Sequence, residues 1–171
     1  MIRGIEEELG ALKYSHVERE RRFLVDPARR PDLSGMAYIL IEDRYIDGTR
    51  MRLRRMTASG GSRVVFKLSK KYDVADASAR PMVTTYLNQA EYDLLATLPA
   101  HLLTKRRHDL GSFSIDLFDG RLAGLELAEN EQPDAAALAA LQAPDWALAE
   151  VSDDPAYQGG NLALAGHPPI R

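Results

Sequence analysis

The sequence of 171 residues contains no cysteine. Disulfide bonds and thiolate metal sites are therefore excluded, which leaves oxygen ligands and four histidines as metal donors. The chain also lacks any run of about 18 apolar residues, so no transmembrane helix is expected. Neither sign of charge dominates, because 22 basic residues stand against 25 acidic ones. The net charge of -3 gives no support for nonspecific binding to nucleic acid.

What the chain does contain is typical of a soluble globular protein. Hydrophobic residues make up 45% and charged residues 27% of the sequence, a balance that allows a packed core. No internal repeat or low-complexity linker divides the chain, so we predict a single domain over residues 1–171. The start of the chain has acids where a signal peptide would carry an apolar core, which favours a cytoplasmic location without membrane association.

Alternation of polar and apolar residues predicts about eight strands joined by short connections, beginning with residues 16–25. Asp-Gly pairs at 47–48 and 119–120 indicate hairpin turns. Helices are predicted over residues 2–14, 89 to about 98, 133–141 and 162–165. This count favours a mainly β (α+β) fold, an eight-stranded antiparallel barrel over residues 16–165 with flanking helices, preceded by an N-terminal helix over residues 1–15.

The first predicted strand holds charges on a face where an ordinary strand would be apolar. In the sequence HVERERRFLV, Glu18, Glu20 and Arg22 share one side. The two carboxylates then stand about 7 Å apart, from a rise of roughly 3.3 Å per residue, and both can reach one hard cation. Arg22 suits an anionic ligand held by that cation. The alternative is a solvent-facing strand with alternating charges.

The same pattern recurs in later strands. The acids of this face are Glu18, Glu20, Asp116, Glu129 and Glu131, and its bases are Arg22, Arg52, Arg54, Lys67, Lys105 and Arg107. Unpaired buried charges cost several kcal/mol each, so the face contacts bulk water or lines a wet tunnel. Paired carboxylates bind Mg²⁺ or Mn²⁺, and a cluster of Arg and Lys binds phosphate oxygens. Together these residues indicate a site for a polyphosphate carried with a divalent metal.

These residues resemble the CYTH family of triphosphate tunnel metalloenzymes. The family signature E-x-E-x-K is similar to the segment at 18–22, which reads E-R-E-R-R with Arg in place of the usual Lys. Further pieces follow in family order: R-L-R at 52–54, the strand lysine Lys67, K-x-R at 105–107, DLFDGRLAGLELAENE at 116–131 and EVSDDPAY at 150–157. The resemblance covers nearly the whole chain from residue 17 to about 165.

The resemblance implies an eight-stranded barrel that forms a tunnel, in which glutamates bind metal and bases hold a triphosphate. Carried over by position, Glu18, Glu20, Glu129 and Glu131 become catalytic and metal-binding residues, Asp116 becomes a metal ligand, and Arg22, Arg52, Arg54, Lys67, Lys105 and Arg107 bind phosphates. The implied activity is Mg²⁺- or Mn²⁺-dependent hydrolysis of a phosphoanhydride bond in inorganic tripolyphosphate or a related triphosphate. The expected partner is tripolyphosphate or a nucleoside triphosphate. One departure is that Met82 and Thr84 stand where many relatives carry acids.

Several alternatives remain open at this point. The family also contains class IV-type adenylate cyclases, and a non-catalytic module could capture polyphosphate or nucleotide without turnover. A lipocalin-like barrel for apolar ligands would instead require an apolar inner face. Lys70 and Lys71 are predicted to lie on the solvated surface, and the four histidines to be surface or structural residues. A homodimer is one assembly compatible with the sequence.

Overall fold

The computed structural model describes residues 14–72 and 79–169. This part of the chain contains nine strands, which are β1 (His16–Val25), β2 (Ile39–Ile46), β3 (Met51–Ala58), β4 (Val64–Lys71), β5 (Ala79–Leu87), β6 (Ala100–Leu110), β7 (Phe113–Phe118), β8 (Glu126–Glu131) and β9 (Ala147–Glu150). It also contains the helices α1 (Gln89–Leu95), α2 (Ala135–Ala140) and α3 (Gly159–Ala165) and short 3₁₀ helices at Gly120–Leu122 and Pro155–Tyr157. The helix predicted over residues 2–14 falls almost entirely outside the described residues.

The first eight strands form a closed antiparallel barrel. Neighbours follow the order β5-β4-β3-β2-β6-β7-β8-β1, and pairing of β1 with β5 closes the ring. Strand β9 pairs with the end of β1, from Phe23 to Val25. Closure removes the free edges that an open sheet would expose. The predicted eight-stranded antiparallel barrel is therefore confirmed.

One end of the barrel interior is filled with apolar side chains. Because side chains alternate between the two faces of a strand, Leu103 of β6 points to the same side as Lys105 and Arg107. It belongs to a cluster that we call the apolar half, made of Leu103, Phe118, Leu122, Leu125, Leu127, Val151, Tyr157, Leu162 and Ala163. Helix α3 contributes Leu162 and Ala163, so the C-terminal segment covers this end of the barrel.

A second apolar cluster lies on the outside of the barrel. It contains Phe23, Val25, Leu33, Ile115 and Ala128, with Trp146 packed against it. The indole of Trp146 meets the ring of Phe113 edge-on, with centroids 5.5 Å apart. This cluster anchors the segment that connects α2 to β9.

The connection between β7 and β8 differs from the sequence prediction. The Asp119-Gly120 pair is predicted to form a hairpin turn that joins the two strands directly. Instead the 3₁₀ helix at Gly120–Leu122 and Gly124, which has a φ of +94°, delay the strand to Glu126. Leu122 is buried in the apolar half, and its packing holds the longer loop.

Helices in the described residues are short. Helix α2 begins after Asp134, whose side chain accepts a hydrogen bond from the backbone of Ala137 at 2.8 Å, so Asp134 rather than Pro133 sets its start. Helix α1 begins with a capping box between Asn88 and Glu91. Within residues 14–72 and 79–169, no helix is long and apolar enough to cross a membrane.

Candidate active site

A cavity of about 920 Å³ occupies the rest of the barrel interior, which we call the charged half. The predicted residues that line it are Glu18, Glu20, Arg22, Arg52, Arg54, Lys105, Arg107, Glu129 and Glu131. Glu18 and Arg52 therefore face inward rather than lying on solvated outer faces. A lipocalin-like barrel needs an apolar inner surface, so the charged lining contradicts that alternative.

Four glutamates form an acidic wall on two neighbouring strands. Glu18 and Glu20 lie on β1, and Glu129 and Glu131 lie on β8. The register pairs Glu20 directly with Glu131 and Arg22 with Glu129. Alternation along each strand turns all four carboxylates toward the cavity, as the spacing in the sequence predicted.

Arg22 holds part of this wall together. Its Nη2 donates to Glu20 Oε1 at 2.7 Å, its Nε donates to Glu129 Oε1 at 3.0 Å, and its Nη1 donates to the carbonyl of Tyr157 at 3.1 Å. Arg22 is buried, and despite that burial its acidic neighbours Glu129 and Glu20 raise its pKa. The guanidinium thus keeps its charge and fixes the spacing of two carboxylates.

The two carboxylates that share Arg22 differ in their affinity for a proton. Burial, followed by the nearby charge of Glu129, raises the pKa of Glu20. Burial works in the same direction on Glu129, but Lys105, Arg107 and Arg22 outweigh it and hold the pKa of Glu129 well below its usual range. Of these two carboxylates, Glu129 is therefore the fixed negative charge, and Glu20 is the one more able to take up a proton.

A buried aspartate supports the bases of β3. In the closed order of eight strands, β2 and β3 lie three or four places from β1 and β8, which puts them across the barrel from the acidic wall. Arg54 donates through Nε and Nη2 to both oxygens of Asp43, at 2.6 and 2.8 Å. Arg52 Nε lies 3.9 Å from the same carboxylate. Although burial opposes ionisation, Arg54 and Arg52 lower the pKa of Asp43 to about 2.

A second buried aspartate supports the bases of β6. Arg107 donates through Nε and Nη2 to the two oxygens of Asp116, each at 2.7 Å, and also donates to Glu129. Lys105 donates to Asp116 as well. Burial lowers the pKa of Lys105, and the charge of Asp116 opposes that shift.

This arrangement changes the interpretation of Asp116. The sequence predicted it as a metal ligand, but its side chain is fully enclosed and does not line the cavity. Both of its oxygens are occupied by Lys105 and Arg107. Asp116 is therefore the counter-ion of two bases, and its predicted role as a metal ligand stays a prediction.

Lys67 is the other predicted residue that the structure does not bring to the cavity. It lies opposite Arg54 on β3 and opposite Tyr86 on β5. Its Nζ lies 5.1 Å from the centre of the Tyr86 ring, and that ring is 70% exposed. The ammonium therefore sits over an aromatic ring at the surface, and its predicted role in phosphate binding stays a prediction.

Sequence reasoning missed several residues at the cavity. Lys70 and Lys71 were predicted to lie on the surface, but both line the cavity, and the Nζ of Lys71 is 2.7 Å from Glu18 Oε2. Tyr45 also lines it, next to a segment at the start of α3. A Cβ on Gly159 would lie 2.0 Å from the Tyr45 hydroxyl, so this close approach requires glycine.

Two positions of β5 that face the cavity side, 82 and 84, carry no charge. Met82 lies opposite Lys71, and Thr84 lies opposite Ser69. The hydroxyls of Thr84 and Ser69 form a hydrogen bond of 2.9 Å. No carboxylate therefore stands at these two positions, where the resemblance led us to expect acids, and Lys71 faces an uncharged residue across β5.

The acidic wall suits a hard divalent cation that is bound jointly with phosphate. Carboxylate oxygens are the ligands that Mg²⁺ and Mn²⁺ prefer. Glu18, Glu20 and Glu129 all line the cavity, and Glu20 and Glu129 both contact Arg22. Within the part of the chain that the structure describes, no group of three or more acids or histidines is placed to hold a metal by itself. One or two carboxylates completed by substrate phosphates is the usual arrangement for Mg²⁺.

The barrel is similar to a solved structure of known activity. The crystal structure of the inorganic triphosphatase NE1496 has a TM-score of 0.55 and 26% sequence identity, and the match covers 86% of this chain and 94% of that chain. The structure of the PH1819 protein from Pyrococcus horikoshii OT3 has a TM-score of 0.50 and 15% identity, with 71% of this chain and 84% of that chain covered, and it bears on the fold alone. These likenesses support a triphosphate tunnel fold. No protein-family model matches the chain, and no curated protein matches it.

Proposed function

We propose that this protein hydrolyses a phosphoanhydride bond of inorganic tripolyphosphate, or of a related triphosphate, with Mg²⁺ or Mn²⁺, and that it belongs to the CYTH family as a single domain. The observation that carries the proposal is the cavity itself. It encloses both an acidic wall, which can bind a divalent cation, and a set of arginines and lysines, which can bind the phosphates of a polyanion. The structural likeness to an inorganic triphosphatase supports the same activity.

In this proposal the bases bind the phosphate oxygens. Arg52, Arg54, Lys105 and Arg107 present cations to the cavity from β3 and β6. Asp43 and Asp116 hold three of them by direct ion pairs and so fix their positions before substrate arrives. Preorganised charge of this kind stabilises the negative charge of phosphoryl transfer without further rearrangement.

The acidic wall supplies the other half of the chemistry. A divalent cation at Glu18, Glu20 and Glu129 would neutralise phosphate charge and promote ionisation of an attacking water. Glu20 is the carboxylate that we assign to accept the proton of that water, because it faces the cavity beside Glu18 on the same side of β1. Glu129 stays ionised beside Arg107 and Arg22 and keeps those two guanidinium groups in place.

Phosphate release tests this function. Wild-type protein is incubated with tripolyphosphate, pyrophosphate or ATP in the presence of Mg²⁺ or Mn²⁺, beside Glu18→Ala/Glu20→Ala. Release from tripolyphosphate is expected to need the metal and to fall by about 10²–10⁴-fold in the double variant, as for loss of a general base. The control is Glu42→Ala/Asp93→Ala, which removes two acids outside the cavity and is expected to keep wild-type rates.

Other outcomes separate the alternatives. Tripolyphosphate that raises the melting temperature without phosphate release would indicate a binding module and would contradict the hydrolase. Formation of cyclic AMP from ATP would identify an adenylate cyclase instead. Equal loss of activity in the double variant and in its control would mean that the cavity is not where the reaction occurs.

A further inference from the structure

Lys71 is bound to a carboxylate that the proposed function assigns to a metal. It is the last residue of β4, and its Nζ lies 2.7 Å from Glu18 Oε2. The Glu18 side chain is 19% exposed and that of Lys71 is 35% exposed, so the ammonium closes off much of this carboxylate. In the absence of other cations, Glu18 is therefore already neutralised by the chain itself.

The neighbouring strands explain why Lys71 reaches across to β1. Directly opposite it on β5 stands Met82, which has no charge. The next inner position of β5 is Thr84, which pairs with Ser69 rather than with a base. On the other side, the backbone N–H of Lys71 donates to the carbonyl of Arg50, a residue of like charge that directly precedes β3. Glu18 is the carboxylate that this ammonium contacts among the described residues.

The charge of Lys71 also extends beyond its direct contact. It opposes the rise in the pKa of Glu20, which burial and Glu129 cause, and it adds to the lowering of the pKa of Glu129. Three carboxylates of the acidic wall thus feel the same ammonium. A divalent cation placed at Glu18 and Glu20 would meet this positive charge at close range, and two like charges in contact repel.

We infer that Lys71 is an internal counter-cation that competes with the divalent metal for Glu18. This inference rests on the proposed function for the identity of the metal. Metal binding displaces the ammonium from Glu18, and the freed ammonium, which has three donors, turns to the phosphates of a triphosphate in the same cavity. Metal and triphosphate therefore assist each other's binding, since such coupling is reciprocal.

The test measures metal binding directly, without turnover. Mn²⁺ and Mg²⁺ are titrated calorimetrically into wild-type protein and Lys71→Met, with and without pyrophosphate as a probe of the anion site. In the absence of anion, Lys71→Met is expected to bind Mn²⁺ about tenfold more tightly, the effect of removing one close charge at a partly exposed site. The gain in Mn²⁺ affinity on adding pyrophosphate is expected to be smaller in the variant than in the wild type.

Two further variants serve as controls. Lys71→Arg keeps a cation beside Glu18 and is expected to retain the weaker affinity of the wild type. Lys70→Met removes the same charge one residue away; Lys70 also lines the cavity, but it is exposed and its ammonium lies 5.0 Å from the ring centre of Tyr72 rather than on a carboxylate. Its Mn²⁺ affinity is expected to stay within twofold of wild type, and thermal melting curves check that each variant is folded.

The outcomes distinguish this inference from the proposed function. Unchanged or weaker Mn²⁺ binding by Lys71→Met, or an equal gain in Lys70→Met, would overturn the competition. Absence of Mn²⁺ binding in both wild type and Lys71→Met would overturn it too. Tighter binding by Lys71→Met with no phosphate release from the wild type would support the competition and contradict only the hydrolase.

Discussion

The inner face of the barrel has two halves built on the same strands. Along β1 the charged residues Glu20 and Arg22 give way to Leu24, and along β8 Glu129 is two positions from Leu127. One half packs apolar side chains, which stabilises the fold, whereas the other keeps charges out of bulk water, which costs free energy unless each has a partner. The difference shows that this barrel secures its stability at one end of its interior and places its reactive groups at the other.

Within the charged half, the two kinds of residue are held differently. The bases of β3 and β6 have dedicated partners, since Asp43 and Asp116 are buried behind them and do not line the cavity. On the acidic wall, Glu20 and Glu129 instead share Arg22, whereas Glu18 pairs with Lys71. Such sharing leaves the acidic wall with an excess of negative charge, which a cation can relieve.

The largest effect is expected where a dedicated partner is removed. Asp43→Asn leaves the buried guanidinium of Arg54 without its carboxylate counter-ion. Breaking a buried ion pair in this way costs about 3–5 kcal/mol of unfolding free energy. Urea denaturation measures the loss. Glu42→Gln is the matched control, because Glu42 lies next in sequence but its pair with Arg55 is exposed and 3.6 Å long, worth about 0–1 kcal/mol.

The same ion pair gives a dependence on pH. The pKa of Asp43 is lowered from 3.8 to about 2 in the folded protein. A depressed carboxyl pKa stabilises the fold above its unfolded value, and this stabilisation is lost as the pH falls from 3.8 toward 2. Asp43→Asn should therefore flatten the acid limb of the stability curve in this window, and an unchanged acid limb would contradict the assignment.

The apolar half is tested by two leucines of α3. Leu162 is 1% exposed within the cluster, whereas Leu164 is 64% exposed. Leu162→Ala is expected to cost about 2–5 kcal/mol, because it removes buried methyl groups and leaves a cavity. Leu164→Ala should stay within about 0.5 kcal/mol of wild type in the same denaturation experiment. Similar losses for both variants would show that α3 does not cover the barrel end through this face.

The smallest expected effect is a gain in stability rather than a loss. Glu20→Gln should raise the melting temperature by about 2–4 °C, the shift that corresponds to roughly 1 kcal/mol in a protein of this size. The physical reason is that burial and Glu129 raise the pKa of Glu20, so its ionised form destabilises the fold once the pH exceeds that pKa. Arg22 keeps Glu129 as a partner in the variant.

Thermal melting at neutral pH measures this gain, with Glu131→Gln as control. Glu131 lies opposite Glu20 in the register, but its side chain is 55% exposed and pairs with His16 at 2.9 Å. Its replacement is expected to change the melting temperature by less than about 1 °C. A fall in stability for Glu20→Gln would mean that this carboxylate is well paired rather than strained.

Much of the charged half could be predicted from local patterns. The E-x-E spacing at 18–20 and 129–131 and the alternating bases at 52–54 and 105–107 specify which side chains share a face. Because period-two alternation fixes faces but not pairing, it could not show that Arg22 bridges two strands. That contact depends on the register of β1 and β8, which lie more than a hundred residues apart in the chain.

The residues whose roles the sequence did not predict are those that depend on how the strands pair, or on an uncharged residue in the neighbouring strand. Asp43 lies between Glu42 and Arg44 and looks like one charge in a solvated strand. The Asp47-Gly48 turn was predicted, but the four-residue loop from 47 to 50 pairs Asp43 with Arg54, and the sequence alone left that register open. Lys71 reaches Glu18 because Met82 offers no charge across β5, a relation that no local pattern contains.

A crystal structure of the protein with bound tripolyphosphate and Mn²⁺ would test the central claim most directly. Crystals grown with Mn²⁺ and tripolyphosphate, with Glu20→Gln used to slow turnover, would locate both the phosphates and, by its anomalous signal, the metal. We expect the phosphate chain in the 920 Å³ cavity against Arg52, Arg54 and Arg107, with Mn²⁺ between the phosphates and the acidic wall. Phosphates bound only outside the barrel, or Mn²⁺ held away from Glu18 and Glu129, would contradict the account.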